Sequence, residues 1–191
     1  MLAERLEVYL EALKLKALSR SGWVRAGVPQ PESVAAHSWG VAWLGLNFCP
    51  PQLDRQRVLE LALLHDLAEC RVGDLTPYDP VTPAAKERAE AEALGRLAAP
   101  LAKGNEWRER LEEYQAAQTA EARLVQALDK LDMALQALAY ARAYPHLELG
   151  EFIESARRRL EALKKFPAGR EIEELMVLLS RHLEALGSEV P

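Results

Sequence analysis

The chain has 191 residues, enough for one domain with a real core, and 49% of them are apolar. Leu, Ala, Glu and Arg dominate while β-branched residues are few, a composition that favours helix over sheet. A formal charge of −5 argues against a general nucleic-acid binder, which needs a basic face to displace counterions.

A first helix is predicted over residues 2–19. Residues 20–32, RSGWVRAGVPQPE, hold two Gly and two Pro and are expected to form a loop. Ser33 caps a second helix to about Phe48, which the Pro pair at 50–51 ends. Asp54 caps a third, running through Glu69. A loop from Gly73 to Thr82 follows, and Pro83 takes a favoured first-turn position in a fourth helix to about Ala99. A short helix is expected over 105–117. Thr119 caps a long one to about Tyr144, and two more cover 148–165 and 169–186. No stretch alternates with period two, so the expected fold is a compact, all-α single domain over 1–191.

The longest apolar runs are far too short to span a bilayer and are broken by charge, which argues against a membrane protein. The start, MLAERLEVYL, lacks a basic opening and a cleavage site, so no secretory signal is expected. Cys49 and Cys70 form neither CxxC nor a disulfide framework; two free thiols fit a cytoplasmic location.

Polar residues interrupt three apolar stripes. Val58, Leu61, Ala62, His65 and Glu69 recur at helical steps, with Asp66 three residues before Glu69. Val34, His37, Val41, Leu44 and Phe48 form a second stripe, and Asp129 borders a third made of Leu124, Leu128, Leu131, Leu135 and Leu138. Taken singly, each has a plain explanation. A lone His is usually a hydrogen-bonded core residue, and His-Asp is a common pair. Asp132, one turn from Asp129, fits a surface acid paired with Lys130 or Arg123. Together the plain explanations weaken, because unpaired buried charge is costly. One divalent ion held by His37, His65, Asp66 and Asp129 would satisfy all four. Two imidazoles and two carboxylates suit Mn, Fe, Co, Ni or Zn better than Mg. Glu69 would then stand beside the ion, free to handle a proton.

The order His37, His65-Asp66, Asp129 resembles the H…HD…D signature of HD-domain metal-dependent phosphohydrolases. GWVRAGVPQPESVAAHS, LLHDLAECRVGDLTPYD and LDKLDMALQALAY resemble three blocks of one branch. That branch is the HD-domain 5′-deoxynucleotidases, with bacterial YfbR enzymes and eukaryotic relatives. The similarity covers about residues 15–145; the C-terminal helices, about 148–186, are supported by length alone. It implies the all-α HD-domain fold, one divalent metal ion, and hydrolysis of (deoxy)nucleoside 5′-monophosphates. It also implies a homodimer. The Leu-rich faces of the long and terminal helices would either supply that interface or complete the monomer core.

Carried onto this chain, the resemblance makes His37, His65, Asp66 and Asp129 the metal ligands. Glu69 becomes the acid that orients or deprotonates the attacking water, and Asp74 a second acid near the substrate. Arg20 is the first choice for the phosphate and Trp23 for packing on sugar or base, with a core role for Trp23 nearly as good. The bacterial enzymes place Arg and Trp side by side. Here Ser21 and Gly22 intervene, so Arg25 competes with Arg20. The family often has Glu where this chain has Ala36, which removes half of a capping box with Ser33.

Other members of the superfamily act on deoxynucleoside triphosphates, guanosine tetraphosphate or cyclic dinucleotides. The last need extra His ligands, and only His146 and His182 remain. A helical binding protein that keeps the metal for structure is the non-enzymatic alternative.

Overall fold

The computed structural model describes residues 2–161 and 168–188. The order is α1 (Leu2–Ala12), a 3-10 turn (Leu13–Lys16), α2 (Ser21–Arg25), α3 (Val34–Phe48), α4 (Arg55–Leu64) and α5 (Glu69–Val72). Then come α6 (Pro83–Ala98), α7 (Gly104–Ala116), α8 (Ala120–Ala143), α9 (Gly150–Leu160) and α10 (Gly169–Ser188). Among the described residues no sheet forms, only an antiparallel bridge between Ser19 and Ser33. None of their helices is long and apolar enough to cross a membrane.

The locally encoded starts are where the sequence places them. Ser33, Asp54 and Thr119 each accept a backbone N–H three residues on, from Ala36 (3.2 Å), Arg57 (3.2 Å) and Ala122 (3.1 Å). Such caps satisfy donors that the first helical turn leaves open. Thr82 does the same for α6, with Pro83 behind it. At position 36 the surviving half of the capping box is sufficient to start α3.

α8 is the axis of the fold, 24 residues long and so about 36 Å by the helical rise. Leu124, Leu128 and Leu131 on it are fully buried, and α3, α4, α7, α9 and α10 pack around it. Burying each such Leu contributes about 1.5–3 kcal/mol. The apolar stripe of α10, Ile172, Met176 and Leu179, is buried in the same cluster, so these faces complete the chain's own core. A second cluster joins Val8, Leu15, Val34, Leu67, Leu94, Leu97 and Leu111. Two segments pass from one cluster to the other. α3 leaves Val34 in the smaller and Val41 in the larger, with His37 between them; Ala62 and Leu67 bracket His65 and Asp66 in the same way.

Three predicted elements change. The first helix ends at Ala12 rather than 19, because residues 18–20 extend to pair with 32–34: Val34 N–H donates to Leu18 O (2.8 Å) and Arg20 N–H to Glu32 O (3.0 Å). Within the expected loop 20–32 lies the short helix α2, whose first N–H, at Ser21, donates to the Asp74 carboxylate at 2.6 Å. The third helix does not run unbroken through Glu69. After Leu64 the backbone tightens to three-residue hydrogen bonds, Leu67 to Leu64 (3.1 Å) and Glu69 to Asp66 (3.0 Å), before α5 begins. Tightening to three residues per turn stacks Asp66 and Glu69 above one another. The ninth helix is described to Leu160, and the predicted remainder over 162–165 lies outside the described residues.

Gly104 starts α7 against the end of α6, where an added Cβ would lie 2.1 Å from the Ala98 carbonyl oxygen. Gly104→Ala must push the two helices apart. A loss of about 1–3 kcal/mol is expected, the range of other overpacking changes, and a thermal melt checks it.

Candidate metal centre

His37 comes from α3, His65 and Asp66 from the tight turn after α4, and Asp129 from the middle of α8. Ligand atoms of His37, His65 and Asp129 lie within 4.8 Å of one another. His37 Nε2 is 3.3 Å from Asp129 Oδ1 and 3.8 Å from Asp66 Oδ2, and His65 Nε2 is 3.2 Å from Asp66 Oδ2. All four predicted ligands therefore converge. His146 and His182 join no metal-competent group among the described residues.

Each imidazole has one nitrogen committed and one left over. His65 Nδ1 lies 2.8 Å from the Ala62 carbonyl oxygen, which can only accept, so Nδ1 carries the proton. His37 Nδ1 lies 2.7 Å from Asp132 Oδ2. Among the described residues both buried Nε2 atoms lack a hydrogen-bond partner, and so does Glu69 Oε2. A buried lone pair facing carboxylates calls for a cation between them. In the metal-free chain a proton plays that part on His37: burial and nearby Arg20 push its pKa down, but Asp129 and Asp132 outweigh them and hold it at about 9. The donor set fits a divalent ion of the borderline class.

Asp132 is not the surface acid paired with Lys130 or Arg123 that its spacing implied. It is tied to His37, and Lys130 sits instead 3.0 Å from Asp129 Oδ2. Tyr114 Oη also donates to Asp129 Oδ2, at 3.2 Å. Burial opposes the Asp129 charge, but Lys130 and His37 outweigh it and hold the carboxyl well below its usual range. Sequence reasoning missed Tyr114, for which no local signal exists. Asp132 had one: Gly40 stands one turn after His37, and a glycine inside a helix marks a close approach.

A cavity of about 690 Å³ opens over the centre, and Arg20, Trp23, Arg25, Glu69 and Asp74 all line it. Arg20 is nearest the ligands, with Nη1 3.5 Å from Asp66 Oδ2 and Nε 3.9 Å from Glu32 Oε1. Burial acts against its charge, yet Asp66, Asp129, Asp74 and Glu32 together raise its pKa above the ordinary arginine value. Arg25 lies at the rim, paired with Glu151 and stacked 3.8 Å over the Tyr78 ring. Trp23 is 1% exposed, donates to Glu32 Oε1 at 2.9 Å and packs on Tyr140 and Phe152, so it is both core and cavity wall. Asp74 holds Ser21 by its carboxylate and by its carbonyl, which accepts from Ser21 Oγ at 2.7 Å. That clamp fixes α2, and with it Arg20. Glu69 is 3% exposed; in the metal-free chain burial first, then Asp66 and Asp74, push its carboxyl up to about 10.

The comparisons agree with this geometry. The family model for the HD domain matches residues 12–166. The 5′-deoxynucleotidase HDDC2 of Bos taurus is 37% identical over 174 residues, spanning 90% of this chain and 80% of the relative. That of Danio rerio is 40% identical over 133 residues, which is 66% of this chain and 64% of the relative, just under two thirds of its length. Among solved structures, the PH0347 protein from Pyrococcus horikoshii OT3 superposes with a TM-score of 0.72 at 32% identity, over 93% of this chain and 99% of that one. With its ligand signature gathered in space and the family model matched over most of its length, the chain belongs to the HD-domain family, in the group that includes the HDDC2 5′-deoxynucleotidases.

Proposed function

We propose that the chain is a metal-dependent phosphohydrolase that removes the 5′-phosphate from (deoxy)nucleoside 5′-monophosphates. The observation that carries this reading is the pair of buried imidazole nitrogens, unpartnered among the described residues, that face two carboxylates next to a cavity bordered by Arg20 and Lys130. The named activity of the HDDC2 relatives supplies the substrate class.

His37, His65, Asp66 and Asp129 would hold the ion. When bound, it supplies a Lewis acid that neutralises phosphoryl charge and activates water. Arg20 grips the phosphate, since its planar fork matches two oxygens and it already stands beside Asp66. Lys130, next to Asp129, adds positive charge on the other side. Glu69, stacked on Asp66, takes a proton from the attacking water and returns one to the leaving 5′ oxygen. The cavity walls hold the nucleoside so that attack is in line, which supplies much of the rate in phosphoryl transfer. Asp74 acts by fixing α2 beneath the phosphate, and its carboxylate also borders the space open to the sugar.

Phosphate release measured across nucleoside mono-, di- and triphosphates, with Mn, Co, Fe, Ni, Zn and Mg in turn, tests the proposal. Release from 5′-monophosphates is expected, strongest with the borderline metals. Activity confined to triphosphates defeats it. A cytoplasmic homodimer belongs to the same reading. The exposed Trp39, Trp43 and Leu46 of α3 support it as an unpaired apolar face, and light scattering measures the assembly.

A further inference from the structure

We infer that Asp132 is the positioning residue of the metal centre: it fixes the His37 ring so that Nε2, and not Nδ1, is presented to the ion. The inference rests on the metal reading above and goes beyond it to an acid outside the ligand signature.

Three observations carry it. Asp132 Oδ2 lies 2.7 Å from His37 Nδ1, the shortest contact that either ring nitrogen makes with a carboxylate. An ionised carboxylate can only accept, so the proton belongs on Nδ1 and the Nε2 lone pair is left facing Asp66 and Asp129. Asp132 also occupies a notch made for it. An added Cβ on Gly40 would lie 2.0 Å from Asp132 Oδ1, so the bare backbone of α3 is what lets the α8 carboxylate reach the ring. Finally, the neighbouring Lys130 is turned to Asp129, and among the described residues the ion pair of Asp132 is with His37. His37 is fully buried and cannot use water in place of this partner.

The notch gives two independent ways to disturb one contact. Asp132→Asn keeps the shape but offers an amide that can donate to Nδ1 and reverse the tautomer. Gly40→Ala leaves every polar group in place and displaces the carboxylate. Both variants are expected to keep the helical circular-dichroism spectrum and to bind Mn²⁺ about 10- to 100-fold more weakly than the parent, the usual cost of losing such a support. The double variant should be no weaker than the weaker single one. In the zinc-loaded parent, a long-range ¹H–¹⁵N spectrum should show His37 protonated at Nδ1 and metal-shifted at Nε2. A folded Asp132→Asn protein with parental Mn²⁺ affinity overturns the inference. So does a His37 ligated through Nδ1, a result that needs no variant to fold. A parent that binds no Mn²⁺ or Zn²⁺ instead removes the metal reading itself, so the two failures are distinguishable.

Discussion

Glu69→Gln is expected to lower kcat by about 10²–10⁴, the usual worth of a positioned acid–base group, while metal content and fold are retained. The amide has nearly the same shape but cannot carry a proton between water and leaving oxygen. A helical protein that kept its metal only for structure would show no such loss, so steady-state kinetics beside metal analysis separates the two. The same substitution has an opposite effect on stability. In the metal-free chain the Glu69 carboxyl is raised from an ordinary 4.5 to about 10, burial being the first cause and Asp66 and Asp74 the next. A group whose pKa is raised by folding contributes stability that is complete below its unfolded value and is lost as pH rises through the folded one. Between about 4.5 and 10, therefore, keeping Glu69 costs the metal-free protein progressively more. Gln cannot ionise and escapes this slope. At up to about 1.4 kcal/mol per pH unit, the metal-free variant should gain on the order of 2–4 kcal/mol over the parent between pH 5 and pH 8. Thermal melts of chelator-stripped proteins at both pH values check it. A variant that is less stable than the parent at pH 8 would show that Glu69 is part of the scaffold and not a strained functional acid.

What the sequence discloses about this fold is what is encoded within a few residues. Ser33, Asp54 and Thr119 announce their helices because a cap and the N–H that it accepts are three residues apart. His37 and His65 stand out because each interrupts an apolar stripe, and Asp66 and Asp129 because they lie beside such stripes, which supply much of the core around α8. Contacts made across the chain were not legible. The cap of α2 is the carboxylate of Asp74, 53 residues away, so a stretch rich in Gly and Pro conceals a helical turn. The tightening after Leu64 follows from no Gly or Pro; it carries the chain from one core cluster to the other while presenting His65, Asp66 and Glu69 together. Asp132 and Lys130 are neighbours in sequence, and only the approach of Gly40 shows which of them meets His37 and which meets Asp129. The different surroundings of Arg20 and Arg25 are likewise visible only in space. Arg20 is directed to Asp66 and Arg25 is engaged at the rim by Glu151 and Tyr78.

Arg20→Met should separate charge compensation from catalysis. Without the ion, the Arg20 guanidinium is a close cation for Asp66 and Glu32, at 3.5 and 3.9 Å, and it is largely buried. Methionine fills much the same volume and leaves those carboxylates uncompensated, so the metal-free variant is expected to lose about 3 kcal/mol, the lower end for breaking a buried pair from one side. Saturating Mn²⁺ should return part of that loss, because a dication among His37, His65, Asp66 and Asp129 compensates Asp66, the nearer of the two acids. Mn²⁺ affinity should accordingly stay at or above the parental value, since a competing positive charge has been removed. Hydrolysis should not return. The phosphate loses its charge-assisted partner, and kcat/KM for a 5′-monophosphate is expected to fall about 10²-fold or more. Arg25→Ala provides the contrast: its pairing with Glu151 is half-exposed, worth at most about 1 kcal/mol, and its loss should change kcat/KM by less than about tenfold. Equal losses in the two arginine variants would assign the phosphate to the rim. A metal-free Arg20→Met protein as stable as the parent would show that the acids of this centre are compensated by something other than Arg20.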